Sequence, residues 1–180
     1  MRTPIAAGLA FALLLPIAAP LRAQAPPMPD LDRQRAEVAK LAWMIGEWSG
    51  EGWMQRGPER HEFTQTESIR AALDGLALIV KGEGRSKSDP ERVIHRALGV
   101  LAFDEAAGGL RFSTWTGEGR STVAEVEPTA AGFVWGFSTP SGRIRYTVVH
   151  DEGTWTEIGE FSRDGESWMK FFEMTLRRAT

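Results

Sequence analysis

The sequence predicts an all-β fold: an antiparallel up-and-down barrel of about ten strands with one N-terminal helix closing an end. Three observations carry this. From Glu47 onward apolar and polar residues alternate with a period of two, as half-buried strands require. Gly, Pro and Asp turn signals arrive roughly every eight to fifteen residues, and no stretch long enough for a crossover helix intervenes, so successive strands pair with their neighbours in the chain. Helical spacing is confined to the segment just before Glu47.

The chain opens with Arg2, an apolar run from Ile5 to Leu15, Pro16 and the small-residue region AAPLRAQA. This is the pattern of a secretory signal peptide over residues 1–25, too short and too weakly flanked to span a membrane. Cleavage is expected after Ala23, with Ala25 as the alternative, because a cut after Ala25 leaves Pro26 at the new terminus. A periplasmic or secreted protein follows, with no membrane insertion after signal removal. Without Cys the chain has no lipid-modified terminus, disulfide, thiolate ligand or Cys nucleophile. Removal of Arg2 and Arg22 leaves 19 basic against 24 acidic residues and no basic run, which argues against nucleic acid as a partner.

Residues 26–30, PPMPD, form a linker, and residues 31–180 form one barrel domain. Asp30 suits a helix N-cap. The helix is expected from Leu31 to about Trp43, with Leu31, Val38, Leu41, Ala42 and Ile45 as its buried stripe. Ten strands follow: Glu47–Gln55, Arg60–Ala71, Leu76–Arg85, Arg92–Phe103, Leu110–Thr116, Arg120–Glu127, Gly132–Thr139, Arg143–His150, Thr154–Ser162 and Ser167–Arg178. Alternation turns Val93, His95, Ala97, Gly99, Leu101 and Phe103 inward, with Phe133, Trp135 and Phe137, and with Ile144, Tyr146, Val148 and His150. Thr64, Thr66, Ser68, Arg70, Arg143, Arg145 and Thr147 face out. Closure removes the exposed edges that an open sheet would leave.

Gly46-x-Trp48, placed just after a short helix, resembles the opening of the lipocalin and calycin barrels. That resemblance implies a structural closure in which the Trp seals one barrel end against an Arg late in the last strand. Arg178 has the parity for this role, so Gly46, Trp48 and Arg178 are the expected closure residues. Leu41-x-x-x-x-Gly46-x-Trp48-x-Gly50-x-Gly52 and Leu73-Asp74-Gly75 are similar to the nitrobindin-like ten-stranded barrels and to a related exported bacterial family of unknown function. Nitrobindins hold heme through a His near the C-terminal strands. Here the last strand, SWMKFFEMTLRR, carries no His, so that residue has no counterpart; Met169 is assigned to core packing.

By parity His61, His95 and His150 all point inward, His61 and His95 near one mouth and His150 near the other, so the three do not form one metal site. The GEGRS pentapeptide recurs at 82–86 and 117–121 but opens no helix, which excludes a phosphate-cradling loop and leaves a bend at a strand end. Ser49 lies outside any nucleophile elbow, and alternation places most of the glutamates from Glu118 to Glu173 on the solvent side. The expectation is a binding protein rather than an enzyme, holding a small, largely apolar molecule without a cofactor. Its expected lining is His61, Phe63, Gln65, His95, Phe103, Phe112, Trp135, Phe137 and Tyr146. The alternatives are a heme or metal barrel acting on a small redox molecule, and a filled barrel that presents Trp53, Trp115 and Trp155 to a partner.

Overall fold

A computed structural model describes residues 28–179; the expected signal peptide and the first two linker residues, 26 and 27, lie outside the described residues. Ten strands form one closed antiparallel barrel in the order β1-β10-β9-β8-β7-β6-β5-β4-β3-β2, the expected meander. Their bounds are β1 Gly46–Arg56, β2 Glu59–Ala72, β3 Ala77–Ser86, β4 Val93–Asp104, β5 Gly109–Thr116, β6 Ser121–Thr129, β7 Gly132–Thr139, β8 Gly142–Asp151, β9 Thr154–Ser162 and β10 Met169–Arg178. β1 closes the sheet by pairing with β10, Trp48 opposite Arg178 and Met54 opposite Phe172.

The helix α1 spans Leu31–Ala39 and is shorter than its apolar spacing suggests. The Asp30 side chain caps it by accepting from the Arg33 amide at 2.9 Å. After Lys40 the chain tightens into a 3-10 turn over Ala42–Met44, where residues three apart eclipse. The buried stripe is therefore Val38, Leu41 and Met44, whereas Leu31, Ala42 and Ile45 are exposed. The turn is what swings the chain from the helix into β1. Arg35 donates to the Asp74 carbonyl and Arg33 lies over the Phe103 ring, holding α1 across the barrel end where β2 finishes and β3 begins.

Alternation holds along most strands, and in β9 it turns inward the face expected outside. Trp155 was expected outside and is instead 3% exposed, on the inner face with Glu157, Gly159 and Phe161. TWTEIGEFS puts one Glu and at least one apolar residue on each face, so its pattern does not choose between them; closure against β8 and β10 does. Met169, assigned to packing, is 65% exposed at the start of β10. Among the proposed partner-surface tryptophans Trp115 is exposed, while Trp53 is half-buried under Arg60 and donates to Glu173. The two GEGRS copies differ in structure: residues 82–86 complete β3, and residues 117–121 turn from β5 into β6.

Candidate functional site

The barrel interior has two unlike halves. Near α1 the inward side chains are fully buried: Trp48, Ile69, Leu78, Leu101, Phe133, Val148 and Leu176. Three tryptophans and a histidine pack the floor, Trp43 stacking on His150 at 4.6 Å and meeting Trp48 and Trp155 edge to face. Toward the opposite mouth the inward residues His95, Phe112, Trp135, Phe137, Ile144 and Tyr146 keep partial exposure. An aromatic chain runs from this open half to the buried Phe63: Phe112 meets Trp135 at 5.1 Å, Trp135 stacks on Tyr146 at 4.3 Å, Tyr146 meets Phe172 at 5.8 Å, and Phe172 stacks on Phe63 at 5.7 Å.

Two carboxyl groups lie between the halves. Glu67 of β2 and Glu157 of β9 are 8% and 7% exposed. Gln65 donates to Glu67 Oε1 at 2.7 Å, and the Trp135 indole N–H donates to Glu157 Oε1 at 3.1 Å. Among the described residues Glu67 Oε2 has no partner, and neither does the Trp155 indole N–H, which lies close enough to Glu157 to favour its charged form without reaching good hydrogen-bond geometry. Burial pushes Glu67 up to about 7, the Gln65 donor opposing it, and pushes Glu157 up to about 8, with the Glu67 charge adding to the rise. The same burial raises the Tyr146 phenol, and Glu157 raises it further.

Gly82 and Gly84 of β3 make room for this arrangement. A Cβ on Gly82 would stand 2.6 and 2.9 Å from the two Glu67 carboxylate oxygens, and one on Gly84 would stand 2.7 Å from Gln65 Oε1. The polar pair thus lies along a strip of backbone that any larger residue would block.

Of the nine expected lining residues, five share the open half: His95, Phe112, Trp135, Phe137 and Tyr146. Phe63 is buried beneath Phe172, Gln65 is committed to Glu67, and Phe103 belongs to the packed half near α1. His61 shares the inward parity of Phe63 and Gln65 but is exposed at the rim beside Glu59, at 3.5 Å. Burial lowers the basicity of His95, the Glu118 charge opposes that effect and Arg56 adds to it, with the net shift favouring the neutral ring. Among the described residues no group of three or more His, Cys, Asp or Glu is placed to hold a metal ion.

Glu157 is the main residue that reading by alternation missed. The only signal for it was a carboxylate sharing a strand face with Trp155 and Phe161. A shallow groove runs along Glu47, Thr66, Lys81, Glu83, Arg96, Leu98 and Trp115 and reaches Glu67 and Gly82; within it Glu83 pairs with Arg85 and Arg96, and Glu47 with Arg70.

The expected closure residues are assembled as the motif implied. The Arg178 guanidinium lies 4.6 Å from the Trp48 ring centroid, and Gly46 faces it at φ 135°.

Comparison with known proteins agrees with this architecture. No curated protein matches the sequence. Rv2717c from M. tuberculosis is similar in structure, with a TM-score of 0.61 at 13% identity over 80% of this chain and 98% of that one. The S-type phycobiliprotein lyase CPES from Guillardia theta is similar with a TM-score of 0.53 at 11% identity over 82% of this chain and 97% of that one. At these identities the likeness is one of fold, and the resemblance to calycin and nitrobindin-like barrels is borne out at that level. A family model described as a THAP4-like, heme-binding beta-barrel domain matches residues 37–169, from within α1 to the first residue of β10. That match covers most of the chain, and the protein belongs to the family of THAP4-like, heme-binding beta-barrel domains.

Proposed function

We propose that this protein is an exported barrel that holds a small, largely apolar molecule in the half of its interior away from α1. The observation that carries the reading is the contrast between the halves: inward side chains are sealed at the α1 end, while Phe112, Trp135, Phe137 and Tyr146 stay partly accessible at the other. Aromatic walls with a few polar groups are the usual composition of a small-molecule site. Burying about 300 Å² of apolar ligand surface at roughly 25 cal/mol per Å² yields about 7 kcal/mol before association costs, so useful affinity depends on walls that are already in place. Stacking of Trp135 on Tyr146 supplies such preorganisation. Export is supported by the N-terminal charge and apolar pattern. Native mass spectrometry of gently purified protein, with displacement of a hydrophobic dye, tests the reading. The expected result is a retained mass or a saturable dye site that Tyr146→Ala weakens; neither a mass nor a dye site would sink it.

The family description favours a second reading, in which the molecule is heme. His95 is the donor that fits: an imidazole on the inward face of the open half, its neutral form favoured by burial, as iron ligation requires. It stands on β4 and not on the C-terminal strands. Bound heme would supply a redox-active iron for a small redox molecule. His95 would hold it, and the aromatic walls of β5, β7 and β8 would keep water from its faces.

A further inference from the structure

The Glu67 and Glu157 carboxyls are costly groups that closure of the barrel does not use. Trp48 and Arg178 seal the far end without them, and neither carboxyl makes an ion pair among the described residues. A buried acid is tolerated when it is protonated or when a cation meets it. Among the described residues no Lys or Arg occupies an inward position beside the pair; Arg56 and Arg178, which share the inward parity of their strands, stand exposed at opposite rims. The other titratable groups on the inner wall near the pair are the Tyr146 phenol on β8 and, nearer the mouth, His95 on β4. Neither supplies a permanent positive charge.

Geometry adds a buried acceptor with no partner among the described residues, and an aromatic surface beside the pair. Gln65 occupies Glu67 Oε1 and fixes the carboxyl, leaving Oε2 without a partner. Trp135 fixes Glu157 by the same means, and its ring is stacked on Tyr146. An aromatic face beside a carboxylate favours a cation over a neutral donor.

We propose that Glu67 and Glu157 form a receptor for a protonated nitrogen of the barrel's ligand, an amine or amidine carried on an apolar body. The proposal rests on the reading that the open half binds a small molecule, and adds the charge and chemical class of its polar end. The nitrogen donates to Glu67 Oε2 and to the Glu157 carboxyl while the apolar body lies against Phe112, Trp135 and Tyr146. Binding ionises a pair that otherwise retains protons at neutral pH, so a proton is released as the cation enters. The amine preference therefore grows with pH as both carboxyls ionise, from about pH 6 to about pH 9, and fades at lower pH where both are neutral.

The experiment is calorimetric titration of the purified protein with tryptamine and with tryptophol, which share an indole body and differ in ammonium against hydroxyl. The expected result is about tenfold or greater preference for tryptamine at pH 8, with proton release seen as a dependence of the heat on buffer ionisation enthalpy. In Glu67→Gln and Glu157→Gln the preference falls to about twofold or less while tryptophol binding persists. Equal affinity for both probes in the wild type overturns the amine receptor and leaves the apolar pocket standing. No saturable binding of either probe or of a hydrophobic dye removes the pocket reading and this proposal with it. The wild-type comparison decides the question even where a Gln variant fails to fold.

Discussion

Arg178 joins the two ends of the barrel domain: its guanidinium lies 4.6 Å from the Trp48 ring centroid and donates to the carbonyls of Ile45 and Trp43 at 2.8 and 2.7 Å. The Trp48 indole in turn donates to the Met44 carbonyl at 2.7 Å. One side chain of β10 therefore caps the free carbonyls of the turn that enters β1. The preceding Gly46 explains itself in the same contact, because a Cβ there would meet Arg178 Nη1 at 2.6 Å and the backbone has φ 135°.

Arg178→Ala removes the cation over the ring and both donors together. The expected loss is about 2 kcal/mol of stability, and Arg178→Lys recovers only part of it because an ammonium lacks the planar fork. Urea denaturation followed by Trp fluorescence checks this; an unchanged midpoint for Arg178→Ala would show that the closure is carried by Trp48 packing alone.

Gly82→Ala tests the backbone strip under the polar pair. The Gly82 backbone lies outside the left-handed region, so Ala is allowed conformationally, but its methyl would stand 2.6 Å from Glu67 Oε1. Displacing the Gln65 and Glu67 side chains is expected to cost about 1–3 kcal/mol. A melting temperature equal to wild type would mean that the side chains move aside freely.

Stability should fall as pH rises through the range in which the buried acids titrate. Glu67 and Glu157 sit at about 7 and about 8 when folded, above the ordinary glutamate value of 4.5, so the folded state holds more protons between those limits. Their contribution is most favourable below about pH 4.5 and is lost by about pH 8. Glu157→Gln keeps an acceptor for Trp135 without the charge, and should raise stability by about 2 kcal/mol at pH 8.5 with little effect at pH 4.5. Denaturation midpoints at the two pH values measure the difference; an equal change at both would place the effect in packing. Asp164 acts in the opposite direction. Donors from Ser167, Glu166 and Ser162 hold it down at about 2, so its contribution is present above the ordinary aspartate value of 3.8 and disappears as pH falls through 2.

If heme occupies the open half, its iron should report on one imidazole. Addition of heme is expected to produce a Soret band that His95→Ala abolishes or shifts and that His61→Ala leaves intact, because His61 is exposed at the rim. A band unaffected by His95→Ala would exclude His95 as the ligand, and a flat visible spectrum would reject the heme reading.

The strands and the closure were legible in the sequence because both rest on local chemistry. Turn residues mark the ends of every strand, and the period of two marks its faces; Gly46, Trp48 and Arg178 form a pair of signals at the two ends of one domain. Legibility failed where a pattern was balanced. In β9 each face carries a Glu and an apolar residue, and only the neighbours β8 and β10 decide that Trp155 and Glu157 turn inward. The helix ended early because Val38, Leu41 and Met44, three residues apart, meet the barrel floor through a tightened turn. Sequence alone thus determined the strand order and the closing lock. Only the tertiary structure decided which half of the lining is sealed and which remains accessible, and that Glu67 and Glu157, 90 positions apart, share one desolvated space, because burial and charge coupling depend on distances that alternation does not encode.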